Sequence, residues 1–94
     1  MYILEPTSRF ERALKRLTKR NPDLEATITE ILIKLQQSPR DPALRSHKVR
    51  DDEGQPAYSS RVTGDLRVIW RYKSSNGIIL LNIGGHSGGN KVYS

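Results

Sequence analysis

The hydrophobic positions in the first half of the chain follow the three- and four-residue spacing of helices with one buried face. The first stripe lies within residues 7–20 and consists of Phe10, Ala13, Leu14 and Leu17. The second stripe consists of Leu24, Ile28, Ile31, Leu32 and Leu35. Between the stripes, Asn21 can cap the second helix and Pro22 fits its first helical position. The second helix is predicted to end before the Ser-Pro pair at 38–39, because a residue that precedes proline avoids helical torsion angles. The pattern therefore predicts two helices joined as an antiparallel hairpin.

The second half of the chain changes to the period of two that is typical of strands. The strongest strand predictions are residues 58–62, 66–73 and 78–83, separated by short turns at 63–65 and 74–77. Weaker strand predictions are a short apolar run at 2–4 and the segment 44–49, and 51–56 is predicted to be a turn or a mobile loop. Since neither helix can bury its stripe alone, we expect one α+β domain over residues 1–94, with the helical hairpin packed on one face of a small antiparallel sheet.

Alternation within the strand at 66–72 divides its side chains between the core and solvent. The core face is predicted to carry Leu66, Val68, Trp70 and Tyr72. The opposite face is predicted to carry Arg67, Ile69 and Arg71. A hairpin turn at 63–65 would bring Arg61 of the preceding strand close to Arg67. The sequence therefore predicts two neighbouring arginines on the solvent face of the sheet.

The chain is basic, with 16 Lys and Arg against 10 Asp and Glu and a formal charge of +6. The excess lies in residues 7–20, with six cations and one acid, and in residues 58–94, with five cations and one acid. Such segments favour a polyanionic partner, because neutralised phosphates release counterions; the weaker alternative is that the charge serves solubility alone. No cysteine is present, which excludes a disulfide framework and a thiolate zinc site. With no apolar run long enough to span a membrane and no leader-like start, we expect a cytoplasmic protein without membrane contact.

Four residues of the second half carry the strongest candidate chemistry. Arg67 and Arg61 are the best phosphate ligands, because a guanidinium is always charged and binds two oxygens at once. The alternative is a pair of exposed strand arginines whose stems cover apolar surface. Asp65 could orient Arg67 or accept a proton, or it could simply shape the turn. His86 follows the last apolar strand among glycines that would let a sugar-phosphate chain come close, although it could also be an incidental loop histidine.

His47 is a second candidate for proton transfer, since it stands among the cations Arg45, Lys48 and Arg50, although a half-buried strand histidine has the same pattern. A nucleotide-binding P-loop is excluded, because Gly89 is followed by asparagine and lysine rather than by a lysine and a hydroxyl residue that open a helix. A magnesium site would need more carboxylates than this region offers. The residues instead suit cleavage of RNA without metal or cofactor, in which the ribose 2′-hydroxyl attacks the adjacent phosphorus.

The order and spacing of four segments resemble the RelE/ParE superfamily of bacterial toxins, and its RelE- and YafQ-like ribonucleases more than its gyrase poisons. The segments are residues 44–48, 58–62, 64–70 and an ending made of 83–86 with 91–93. The resemblance implies an mRNA interferase of a type II toxin–antitoxin system, which cuts mRNA in the ribosomal A site and is silenced by a cognate antitoxin. Its partners would be that antitoxin, mRNA and the ribosome, and the toxin would be a monomer or part of a hetero-oligomer with the antitoxin.

By position, the resemblance implies that Arg67 is the phosphate-stabilising arginine. The rest of the implied catalytic set is His86, His47, Asp65 and Arg61. The predicted RNA-binding residues are Arg45, Lys48, Arg50, Arg71, Lys91 and Tyr93.

The chain departs from the family in two places. Residues 87–90 lengthen the interval before Tyr93, and Ser59 and Ser60 stand on the strand where RelE has lysines that share the proton transfers. Because the lysines have no counterpart here, the proton transfers would fall to the histidines. The alternatives left open are a ParE-like inhibitor of DNA gyrase and a catalytically inactive module that binds nucleic acid or antitoxin.

Overall fold

The structure is a computed structural model that describes residues 1–85, so that His86, Lys91 and Tyr93 of the predicted site lie outside the described residues. Its elements are β1 (Ile3–Pro6), α1 (Ser8–Thr18), α2 (Pro22–Gln37), a 3₁₀ turn (Pro42–Leu44), β2 (His47–Arg50), β3 (Pro56–Arg61), β4 (Leu66–Ser74) and β5 (Gly77–Gly85). Both predicted helices and the strong strand predictions are confirmed. The weaker segment at 44–49 divides between the 3₁₀ turn and β2.

Side-chain caps begin both helices, and the cap of the second helix is the predicted Asn21. The Thr7 hydroxyl oxygen accepts a hydrogen bond from the backbone N–H of Phe10 at 3.2 Å, and the same hydroxyl donates to the carbonyl of Leu80 at 2.9 Å. The side-chain oxygen of Asn21 accepts from the N–H of Leu24 at 3.2 Å. The Thr7 contact with Leu80 fixes the start of α1 against β5, so this cap also positions the first helix on the sheet.

The five strands form one sheet in the order β1-β5-β4-β3-β2. Strands β2 to β5 are an antiparallel meander, whereas β1 pairs with β5 in parallel. The α+β class is confirmed, and the sheet is mixed rather than wholly antiparallel. A side-chain pattern within one strand does not specify the direction of its partner, so this difference could not be read from residues 2–4.

The sheet has two unequal faces. The helix face, which carries Val68 and Trp70, packs against Phe10, Ile28 and other residues of α1 and α2 to form the main core. The open face carries a small second cluster, with Ile69 and Ala57 buried among Val49 and Leu81. The predicted sharing of faces along β4 is thus confirmed, but Tyr72 on the helix face is exposed and Ile69 on the open face is fully buried. Neither helix within residues 1–85 has the length and apolar character needed to cross a membrane.

Candidate active site

Arg61 and Arg67 are directly opposite each other on β3 and β4, and both lie on the open face. Side chains in such a pair start from Cβ atoms ~4.5–5.5 Å apart. The Nη1 of Arg67 donates to the carbonyls of Thr63 at 2.9 Å and Leu66 at 3.1 Å, and the Nε of Arg61 donates to the same Thr63 carbonyl at 3.3 Å. The two guanidinium groups therefore share one carbonyl acceptor in the turn that joins their strands. This confirms that the hairpin brings Arg61 beside Arg67.

The turn at 62–65 is held in shape by the side chain of Thr63. Its hydroxyl oxygen accepts from the backbone N–H of Leu66 at 3.0 Å and from that of Asp65 at 3.3 Å. The N–H of Val62 donates to the carbonyl of Leu66 at 2.9 Å. Asp65 is exposed in this turn. Because hydrogen bonds within the turn fix the orientation of its carbonyls, these carbonyls hold the two arginines in place without cancelling their charge. We call Arg61, Arg67 and residues 62–65 the turn end of the open face.

Within residues 1–85, the two guanidinium groups of the turn end contact peptide dipoles rather than carboxylates. Among residues 1–85, the ion pairs join Arg9 to Asp52, Arg71 to Asp51 and Lys73 to Glu5. Arg61 and Arg67 instead contact peptide carbonyls, which carry only partial charge. Two like charges facing each other across a strand pair repel, so an anion bound between them would relieve an unfavourable interaction. The arrangement is therefore suited to a phosphodiester.

His47 lies on the same face as the arginine pair. It is directly opposite Ser59, which is in turn opposite Ile69, and Arg61 is the next residue of β3 on this face. His47 is exposed, and its Nδ1 is 3.4 Å from the carbonyl of Arg45, a long and weak contact. The histidine is thus an exposed strand residue with a loosely held ring. Sequence reasoning had left open a half-buried position.

Arg71 also lies on the open face, but it is bound to a carboxylate. Its Nη2 donates to Oδ2 of Asp51 at 2.5 Å, and Asp51 is buried, with 7% of its surface exposed. The other carboxylate oxygen, Oδ1, accepts from the N–H groups of Glu53 at 3.0 Å and Gln55 at 2.8 Å. Residues 51–55, which belong to the segment 51–56 predicted to be a turn or a mobile loop, are therefore organised around a partly buried ion pair.

Residues 51–53 also border a cavity whose wall includes Ile69. We call Arg71, Asp51 and residues 52–55 the loop end of the open face. Arg71 was predicted to bind RNA, but here it has an internal partner.

The other predicted RNA-binding residues within residues 1–85 do not join the turn end. Alternation along β2 directs Lys48 and Arg50 to the helix face, opposite to His47, and Nη1 of Arg50 donates to the carbonyl of Gly54 at 2.9 Å. Arg45, which precedes β2, is exposed and has a left-handed backbone with φ 48°. The predicted site residues are thus divided between the two faces of the sheet. His47, Arg61 and Arg67 lie on the open face together with the ion-paired Arg71, whereas Lys48 and Arg50 lie on the helix face.

Sequence reasoning missed a cleft on the helix face. It has a volume of about 310 Å³ and is bordered by the aromatic rings of Tyr58, Trp70 and Tyr72 and by Arg40 and Arg45. Tyr58 stacks on Trp70 with ring centroids 4.8 Å apart. The strand alternation indicated part of this cleft, since it places Trp70 and Tyr72 on the same face. It could not indicate Arg40, which is distant in the sequence. The cleft lies across the sheet from the arginine pair and is separate from the site.

No protein-family model matches the chain, and no curated protein matches it. Solved structures do match. A metal-bound toxin from Helicobacter pylori is 24% identical over 92% of this chain and 96% of its own, with a TM-score of 0.73. YafQ from E. coli is 15% identical over 90% and 93% of the two chains, with a TM-score of 0.71. The toxin–antitoxin complex RelBE2 from Mycobacterium tuberculosis contains a chain that is 21% identical over 89% and 96%, with a TM-score of 0.68.

These structures cover nearly the whole of both chains, and each is a toxin or part of a toxin–antitoxin complex. At such low identity the agreement concerns the backbone architecture and not the activity. The two helices and the five-stranded mixed sheet of this chain therefore have the fold of the RelE-like toxins, as the resemblance in sequence had implied.

Proposed function

We propose that the protein is the toxin of a type II toxin–antitoxin system and an endoribonuclease that cleaves mRNA without a metal ion. The observation that carries this proposal is the Arg61–Arg67 pair, which is held toward one turn on the open face of a RelE-like fold without a carboxylate partner among residues 1–85. A ribonuclease of this kind needs fixed cations where charge develops on the phosphate, and this pair meets that requirement.

In the proposed reaction the scissile phosphate binds at the turn end. The ribose 2′-oxygen attacks the adjacent phosphorus, the bond from phosphorus to the 5′-oxygen breaks, and a 2′,3′-cyclic phosphate forms. Arg67 and Arg61 stabilise the negative charge that gathers on the phosphoryl oxygens. Because this charge is greater in the transition state than in the substrate, the pair lowers the barrier more than it strengthens substrate binding.

Two proton transfers accompany this reaction, one from the 2′-hydroxyl and one to the departing 5′-oxygen. We assign them to His47 and His86. His47 lies on the open face beside Ser59 and Arg61. His86 is assigned from its position in the sequence, directly after Gly85 of β5, and from the family resemblance. Asp65, which follows Gly64 in the turn, is proposed to orient Arg67.

The partners come from the resemblance and from the structural relatives. RelBE2 from Mycobacterium tuberculosis and YoeB–YefM from Staphylococcus aureus are complexes of a toxin with its antitoxin. By analogy, we propose that a cognate antitoxin binds and silences this chain, and that its substrate is mRNA in the A site of a cytoplasmic ribosome. The basic excess of the chain suits both the ribosome and an acidic antitoxin.

The test uses the purified protein with ribosomes programmed with a defined mRNA. We expect a cut whose upstream fragment ends in a 2′,3′-cyclic phosphate, and we expect no cut when the nucleotide before the scissile bond is 2′-deoxy. An Arg12→Ala variant, which removes an exposed cation of α1, is the matched control and should cleave normally. Cleavage of the 2′-deoxy substrate would contradict the mechanism. An uncut mRNA together with blocked supercoiling by DNA gyrase would assign the chain to the ParE-like class instead.

A further inference from the structure

Two adjacent serines of β3 differ in whether their hydroxyl groups have hydrogen-bond partners. Ser59 and Ser60 are both fully buried. The Ser60 hydroxyl accepts from the indole N–H of Trp70 at 2.8 Å and lies 2.6 Å from the Ser46 hydroxyl. The Ser59 hydroxyl has no hydrogen-bond partner within residues 1–85. A buried hydroxyl without a partner costs about 1–3 kcal/mol, so its presence on a core strand calls for a physical reason.

The strand pairing places this hydroxyl beside the candidate proton-transfer group. Ser59 is directly opposite His47 on β2, so their side chains point to the same face and their Cβ atoms are ~4.5–5.5 Å apart. At that separation a ring nitrogen of His47 reaches the Ser59 oxygen after rotation of the histidine side chain. The present contact of the ring, 3.4 Å from the Arg45 carbonyl, is weak enough to be exchanged for a better one.

We propose that Ser59 is a positioning residue for His47. This inference rests on the proposed function. When RNA occupies the turn end, the imidazole turns inward over the sheet and one ring N–H donates to the Ser59 oxygen. That hydrogen bond directs the second ring nitrogen toward the phosphate held by Arg61 and Arg67.

The chemistry of a hydroxyl fits this role. A serine oxygen accepts from an imidazole N–H in both the neutral and the protonated ring, so the bond survives while the second nitrogen gains or loses its proton. Ser59 itself exchanges no proton with RNA. Ile69 lies on the other side of Ser59, and this apolar neighbour lowers the local dielectric and strengthens the bond.

The test compares Ser59→Thr with Ser59→Val. The two side chains have nearly the same shape and crowd the strand equally, so their difference isolates the hydroxyl. We expect the valine variant to lose about 10- to 100-fold in kcat for RNA cleavage with KM unchanged, and the threonine variant to stay within about threefold of wild type. Ser59→Ala should show the same loss of kcat with undiminished stability to denaturant, because it removes an unsatisfied group. Equal kcat in the threonine and valine variants would overturn the inference.

A second readout does not depend on cleavage. Nitrogen-15 NMR of His47, bound to an RNA whose cleavage-site nucleotide is 2′-deoxy, should show one fixed tautomer in wild type and in Ser59→Thr. A tautomer mixture should appear in Ser59→Val. The same mixture in all three proteins would contradict the positioning role. A wild-type protein that binds RNA but leaves it intact would instead refute the proposed function, and Ser59 would then have no reaction to serve.

Discussion

Arg67 and Arg71 lie four residues apart on β4 and on the same face of the sheet, yet their guanidinium groups have different kinds of partner. Arg67 contacts the carbonyls of its own turn, whereas Arg71 donates to the buried carboxylate of Asp51. Partial charges on carbonyls orient a guanidinium and leave its net charge available, whereas a carboxylate cancels it. The comparison shows that the partner of an arginine, rather than its position on a strand, decides whether it can serve an external phosphate.

The two ends of the open face therefore differ in how their cations are paired. The turn end has two cations that donate to peptide carbonyls and form no ion pair among residues 1–85. At the loop end the cation Arg71 is paired with Asp51, and this ion pair together with the hydrogen bonds of Asp51 holds residues 51–55 beside Ile69. Substitutions at the turn end should act mainly on RNA, and substitutions at the loop end mainly on stability.

The largest effect is expected at Arg67. We expect Arg67→Ala to lower the rate of RNA cleavage by about 100- to 1000-fold, the range found when one fixed donor to a developing oxyanion is removed. Arg71→Ala should reduce cleavage by less than about threefold, because that charge is already paired. The measurement is single-turnover cleavage of mRNA on programmed ribosomes. Equal losses in both variants would remove the distinction between the two ends.

Asp51 should give the largest loss of stability. Asp51→Ala leaves the partly buried Arg71 without its partner and removes the acceptor for two backbone N–H groups, so we expect about 2–3 kcal/mol of destabilisation. The measurement is unfolding by urea. The matched control is Asp52→Ala, whose ion pair with Arg9 is exposed and should contribute less than about 1 kcal/mol. Similar losses in the two variants would show that the buried pair does not organise the loop.

Arg61 should contribute to RNA affinity through charge. We expect Arg61→Ala to weaken RNA binding by about tenfold and to lower the slope of log K against log salt by about one, as for a lost phosphate contact. Lys48→Ala removes the same charge from the helix face and should change the slope by less than half as much. Binding would be measured by fluorescence anisotropy over a series of salt concentrations. A larger change for Lys48 would place the RNA on the other side of the sheet.

Thr63 should have the smallest of these effects. Thr63→Val removes the hydroxyl that accepts two backbone N–H groups, so the turn carbonyls should lose their fixed orientation toward the arginines. We expect a loss of about 1 kcal/mol in stability and a several-fold lower cleavage rate. Thr63→Ser keeps the hydroxyl and should restore both. A valine variant with wild-type cleavage would show that the arginines do not need the turn to hold them.

Much of the fold could be predicted because its determinants are local. The caps at Thr7 and Asn21 act within three residues, and the period of two within β4 assigns Arg67 and Ile69 to the same face. The approach of Arg61 to Arg67 follows from the short turn between them. Each of these features depends on residues that are close in the sequence, so pattern and turn chemistry were sufficient.

The features that the sequence did not reveal concern partners that are distant in the sequence. Arg71 is predicted to bind RNA, and the structure adds a carboxylate partner, Asp51, which lies 20 residues away in a segment whose composition indicated a mobile loop. Lys48 and His47 were grouped because they are adjacent, although adjacent residues of a strand face opposite sides. The parallel pairing of β1 with β5 joins the two ends of the described chain, and no local pattern encodes it.

The sequence by itself determined the elements, the basic character and the pair of arginines, because each follows from local periodicity, composition and turn length. Only the tertiary structure decided which cations keep their charge, which face each of them occupies, and that Ser59 is buried without a partner opposite His47. The physical reason is that electrostatic neutralisation and hydrogen-bond satisfaction depend on contacts across strands, and strand pairing is settled when the whole sheet packs on its helices.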